Sequence, residues 1–140
     1  MSVVSIVLAD TRIRLEKKKV LYNWIELIIH SEKKTPGKIL IYLCSDDFLL
    51  EINKKYLNHF FYTDIITFNY NDKGKIFGEL YISIDRVNEN AERYKKHFTN
   101  ELYRIIAHGV LHLCGYNDKT SGERKIMRSK EEAKLKMLDI

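Results

Sequence analysis

Residues 39–44 read ILIYLC, six apolar side chains between a Pro36-Gly37 pair and a Ser45-Asp46-Asp47 cluster. A run this short is too brief for a buried helix, and without polar alternation it has no side meant for water. It reads as a strand inside a sheet that is covered on both faces. That restricts the chain to folds in which helices flank a sheet.

The remaining pattern agrees. Residues 3–8 suit a strand, with β-branched Val3, Val4, Ile6 and Val7. Residues 15–30 read as a helix with Val20, Trp24, Leu27 and Ile28 along one side. Pro36-Gly37 is the clearest loop signal. Ser45 supplies an N-cap, and Asp46 and Asp47 an acidic first turn, for a helix reaching about Leu57. Residues 64–70 (DIITFNY) and 76–84 (IFGELYISI) are β-rich, with NDKGK between them as a hairpin loop. Asp85 opens a helix to about Lys96, and Thr99 caps another over residues 100–114 that Gly115 terminates. Thr120 and Glu123 form a capping box for a last helix into the late 130s. The expectation is an α+β fold with a small mixed sheet and flanking helices. With 140 residues and no repeat, low-complexity tract or linker, residues 1–140 are expected to form one domain.

A chain of this length buries about two-thirds of its unfolded surface, so it needs no disulfide or structural metal merely to fold. Cys44 and Cys114 each sit in an apolar stretch, as small hydrophobes do in a reducing compartment. The start MSVVSIVLAD lacks a basic leader, and no run approaches the length of a membrane span. A cytoplasmic protein without a membrane partner is expected. The formal charge of +5 is carried largely by lysine runs at 17–19, 33–34, 54–55 and 95–96. Such runs draw a small domain toward polyanions, although each also suits a solvated helix face.

Residues 108–118 read HGVLHLCGYND. Histidines four apart on a helix project from one face, so His108 and His112 can offer two imidazoles to one ion. Gly115 ends the helix, and Asp118 arrives six residues after His112. This is the metzincin spacing H-E-x-x-H-x-x-G-x-x-H, with glycine in place of glutamate and aspartate in place of the last histidine. His108, His112 and Asp118 are therefore the expected metal ligands. Zinc is favoured, because two imidazoles and a carboxylate with one place open suit it. Cys114 falls on the opposite side of the helix and is expected to be a buried thiol.

Gly109 stands where a zincin peptidase carries its general base, which argues against a protease. A mid-helix glycine costs about 1 kcal/mol against alanine. Two reasons offset that cost equally well: room beside the metal for a phosphodiester, or close packing of the helix. An auxiliary base remains to be supplied by Asp64, Glu79 or the second oxygen of Asp118.

The sequence H-G-x-L-H-L-x-G-Y followed by a third ligand resembles the YbeY endoribonucleases, the bacterial rRNA maturation factors. The resemblance covers roughly residues 50–135 and includes YLN at 56–58, TDIITF at 63–68, GELYIS at 78–83, Met127 and Glu131. It implies a YbeY-like metallohydrolase domain with a zincin-like site helix near its C-terminus. It also implies a cytoplasmic, single-strand-specific endoribonuclease with one zinc ion per chain. Its expected roles are 16S rRNA 3′-end maturation and ribosome quality control. The partners would be single-stranded rRNA and the ribosome or its small subunit, with no nucleotide cofactor. The family's three metal histidines correspond to His108, His112 and Asp118.

Two departures stand out. The third ligand is a carboxylate, and the loop between Asn58 and Thr63 is only His59-Phe60-Phe61-Tyr62, without the arginine that many members place there. Lys54 or Lys55 is a substitute source of charge. The aromatics either stack on unpaired bases or fold against the sheet edge. The alternative to a nuclease is a non-catalytic rRNA- or ribosome-binding assembly factor whose metal is structural.

Overall fold

The computed structural model describes residues 3–138. Its elements are β1 (Val3–Leu8), α1 (Lys18–Ser31), β2 (Thr35–Cys44), α2 (Asp46–Leu57), β3 (Ile65–Asn69), β4 (Lys75–Ser83), α3 (Ile84–Arg93), α4 (Phe98–Leu113) and α5 (Ser121–Leu135). The four strands lie in the order β1-β2-β4-β3. β1 and β4 flank β2 in parallel, and β3 returns antiparallel along the outer side of β4. The expected mixed sheet with flanking helices is what forms. Among the described residues no helix is long and apolar enough to cross a membrane.

The 39–44 run is an inner strand, as its unbroken apolar character predicts, but its two faces differ. Ile39, Ile41 and Leu43 are fully buried beneath α1 and α4. Leu40 and Tyr42 on the other face are only half-covered. There α2 roofs the Cys44, Leu49 and Ile66 cluster, while Tyr42 stacks on Tyr81 at 4.6 Å between ring centroids. Aromatic contacts replace a full second helical layer.

Pro36-Gly37 is not a loop but the start of β2. The pairing with β4 slips one residue between Pro36 and Ile39. Proline is tolerated in a strand at such a bulge, where the ladder is already broken. In α1 the buried stripe is Leu21, Trp24, Ile25, Ile28 and Ile29, so the face centres away from Val20 and Leu27, and Leu27 is 50% exposed. The helix starts at Lys18 rather than residue 15, because Lys17 adopts φ 55°.

Ser83, not Asp85, caps α3, its hydroxyl accepting from the Arg86 amide. α4 begins at Phe98 after His97, whose side chain makes no capping bond, so Thr99 lies inside the helix. Elsewhere the local chemistry behaves as read. Ser45 caps α2, and Thr120 and Glu123 form a reciprocal capping box on α5. The turn residues Lys73 and Gly74 take positive φ in the β3–β4 hairpin, as a tight turn of that hand requires.

Two glycines set how closely α4 lies on the sheet. A Cβ on Gly109 would stand 2.8 Å from both Ile65 Cδ1 and Leu80 Cδ1. One on Gly78 of β4 would stand 2.7 Å from Leu113 Cδ2 and 2.9 Å from the Phe68 carbonyl oxygen. Gly109 thus serves helix–sheet packing; the space beside it is filled by Ile65 and Leu80 rather than left for substrate.

Candidate metal centre

α4 carries His108 and His112 on the side facing the β3 edge, beside Ile65, Thr67 and Asn69. The helix stops in a Schellman arrangement: Gly115 has φ 111°, its amide donates to the His112 carbonyl, and the Tyr116 amide donates to that of Leu111. Tyr116 is then tethered, its hydroxyl donating to Glu32 Oε1 at 2.5 Å. The Asn71 amide of the hairpin donates to the Leu113 carbonyl at 2.7 Å, which holds the same helix end from the sheet side. With the helix end fixed from two directions, the chain turns back and delivers Asp118.

Asp118 Oδ2 lies 3.2 Å from His108 Nε2 and 3.4 Å from His112 Nε2. One ligand atom from each of the three residues falls within 4.8 Å of the others. With the ring protons on the Nδ1 atoms, both imidazoles would aim an Nε2 lone pair at the point the carboxylate oxygen also faces. In that tautomer the three acceptors favour a cation between them. Bonds of about 2.0–2.1 Å to a tetrahedral ion put neighbouring ligand atoms about 3.3–3.4 Å apart. The nitrogen–oxygen separations of 3.2 and 3.4 Å lie close to that spacing, and the donor set fits zinc.

Behind these three side chains lies a charged chain that sequence spacing did not reveal. Glu131 Oε2 of α5 sits 2.5 Å from His108 Nδ1. A carboxylate there accepts the Nδ1 proton, which leaves Nε2 as the free lone pair. Glu131 Oε1 accepts from Arg104 at 2.9 Å, and Arg104 also grips Glu101 through two bonds of 2.9 and 2.7 Å. Both glutamates are buried. Burial alone would raise the Glu131 carboxyl, but the His108 hydrogen bond and the Arg104 charge hold it below the ordinary carboxylate range. The bonds to Glu101 in turn push the Arg104 guanidinium up, against the opposing effect of burial. Met127, also in the motif set, is a buried core residue.

The centre opens into a cleft of about 520 Å³ lined by Asp64, His59, Phe61, Asn117 and Lys119 among others. Asp64 is therefore at the site. Glu79 is not: it lies half-exposed on the far face of β4, with Tyr70 Oη 3.4 Å away. Lys54 pairs with Glu51 and Lys55 lies over Tyr56, so neither supplies charge to the cleft. Lys119 does, and its position next to Asp118 was the signal that could have found it. The cysteines take no part. Burial pushes the Cys44 thiol up to about 12 and the Cys114 thiol up to about 11, which keeps both protonated.

A sequence model of the family described as Endoribonuclease YbeY matches residues 7–139, well beyond the segment that carries the motifs. An Endoribonuclease YbeY of Flavobacterium psychrophilum is 47% identical over 131 residues, covering 94% of this chain and 92% of that protein. One from Parabacteroides distasonis is 46% identical over 129 residues, covering 92% and 91%. The solution structure of TM1509 from Thermotoga maritima superposes with a TM-score of 0.67 at 26% identity, covering 97% of this chain and 89% of that one.

Proposed function

Because the chain belongs to the YbeY endoribonuclease family, we propose that it is a zinc-dependent endoribonuclease selective for single-stranded RNA. Its substrate is rRNA on the ribosome or its small subunit. Its work is maturation of the 16S rRNA 3′ end and ribosome quality control, carried out in the cytoplasm by one metallohydrolase domain. The observation that carries this reading is the convergence of His108, His112 and Asp118 at the wall of an open cleft.

These three residues would hold one zinc ion, whose chemistry there is to polarise a phosphoryl oxygen and make nearby water more acidic. The other roles belong to the chain. Lys119 at the rim offsets phosphate charge. Asp64, whose backbone carbonyl is held by the Ser83 amide at 2.9 Å, accepts the proton lost by the attacking hydroxyl of water or ribose. Glu131 keeps His108 in the tautomer that a metal needs. Gly109 leaves no carboxylate at the position of a peptidase base.

The test compares single-stranded and duplex RNA incubated with zinc-loaded protein, beside Asp118→Ala and Asp64→Asn variants. Cutting of the single strand that needs zinc, vanishes in Asp118→Ala and falls by about 10²–10⁴ in Asp64→Asn is expected. Equal RNA binding with no cutting in any sample would instead identify an assembly factor with a structural ion.

A further inference from the structure

The loop between α2 and β3 places aromatic rings beside the metal centre and holds them out to solvent. Phe60, Phe61 and Tyr62 are 70%, 57% and 45% exposed, so the loop does not fold its rings against the sheet edge. His59 and Phe61 stack on each other, with ring centroids 5.1 Å apart and planes 21° from parallel. Both line the same cleft as His108, His112 and Asp118.

Exposed rings on a mobile loop would carry little meaning, but this loop is fixed from inside. Buried Asn53 accepts the His59 amide through its carbonyl at 3.1 Å, and its side-chain amide donates to the Phe61 carbonyl at 2.9 Å. Asn58 makes the turn at φ 55°. At the far end the Tyr62 hydroxyl donates to Asp47 at 3.1 Å, and the Arg86 guanidinium lies 5.1 Å over the Tyr62 ring. The backbone is thus ordered before any ligand arrives, and a bound base need not supply that ordering.

We propose that the His59–Phe61 pair is a stacking platform for an unpaired nucleobase next to the phosphate held at the metal centre. This rests on the endoribonuclease reading for the identity of the ligand. A flat apolar face recognises any base by its π surface, without sequence preference. A base inside a duplex is already stacked on both sides and cannot present that face. The platform is therefore a source of single-strand selectivity in a loop that lacks an arginine.

Phe61→Trp supplies the direct signal, since the chain has one tryptophan and Trp24 is buried with its indole nitrogen donating to the Lys134 carbonyl. Full-length protein is titrated with a short single-stranded oligouridylate, with an RNA duplex, and with inorganic polyphosphate. The new emission is expected to be quenched by the oligouridylate and not by polyphosphate or duplex. Phe61→Ala is expected to bind the oligouridylate about 5- to 150-fold more weakly, and Phe60→Ala as wild type does. Quenching by polyphosphate equal to that by RNA, or unchanged affinity in Phe61→Ala, overturns the platform. If Phe61→Ala cuts and binds RNA like wild type, the platform falls and the nuclease stands. If RNA quenches the tryptophan but is never cut, the platform stands and the nuclease falls.

Discussion

Glu131 is where burial, charge and the candidate metal centre meet. One oxygen faces His108 and the other Arg104, so removing its charge frees the His108 tautomer and leaves Arg104 paired with Glu101 alone. Glu131→Gln keeps the shape but allows its amide to donate to Nδ1, which would turn the ring's proton toward the metal. Zinc affinity is expected to fall about 10–100-fold in competition with a chromogenic chelator, and an unchanged affinity would remove the residue from the account. The glycines are tested by alanine. In Gly109→Ala the gain in helix propensity, about 1 kcal/mol, is opposed by an overpacking cost of about 1–3 kcal/mol against Ile65 and Leu80. Gly78→Ala meets backbone as well as Leu113 and is expected to lose more. Urea unfolding of the two variants ranks them, and Gly109→Ala being stabilised would contradict the packing explanation.

Among elements, α5 matters most, because it carries Glu131, packs on α4 and is tied at Lys134 to α1 and its C-cap Glu32. Lys134, buried, reaches Glu32 at 2.6 Å and the Ser31 hydroxyl at 2.8 Å, while its carbonyl accepts the Trp24 indole. Lys134→Ala removes the nearer of the two lysines on Glu32, leaves Tyr116 and Lys130 in place, and is expected to cost about 1–3 kcal/mol. It should weaken zinc binding too, since Glu131 rides on the same helix. Burial alone would raise the Glu32 carboxyl, but hydrogen bonds from Lys134 and Tyr116 outweigh it and hold the group below its ordinary 4.5. A depressed folded value means stability that is complete above the unfolded value and lost as the pH falls through the folded one. Wild-type unfolding free energy should therefore decline below about pH 4.5, and Glu32→Gln should flatten part of that decline. Local signals made much of this level legible: the Ser45 cap, the Thr120–Glu123 box and the Gly115 stop depend only on near neighbours. Three features were hidden for physical reasons. Ile84 extends the apolar alternation of β4 and masks the Ser83 cap, His97 precedes α4 without a capping bond, and Pro36 is accommodated by a bulge.

At the scale of the whole molecule, the inner-strand run and the hairpin were enough to imply a mixed sheet with helices around it. The half-open second face was not, because Tyr42 reads as apolar in a sequence while its ring partner Tyr81 lies on another strand. The same division holds for the site. His108, His112 and Asp118 were legible because one helix turn and one stop set their spacing. Glu131 and Asp64 reach the cleft or its ligands only through folding, and no local period announces them. Everything proposed about RNA depends on the three short-range residues binding an ion together. Calorimetric titration of zinc into chelator-stripped protein tests this most directly, alongside Asp118→Ala with its circular dichroism checked. One ion per chain, with binding weakened at least tenfold in the variant while the fold is retained, is the predicted result. Equal binding by the variant, or no binding by wild type, would contradict it.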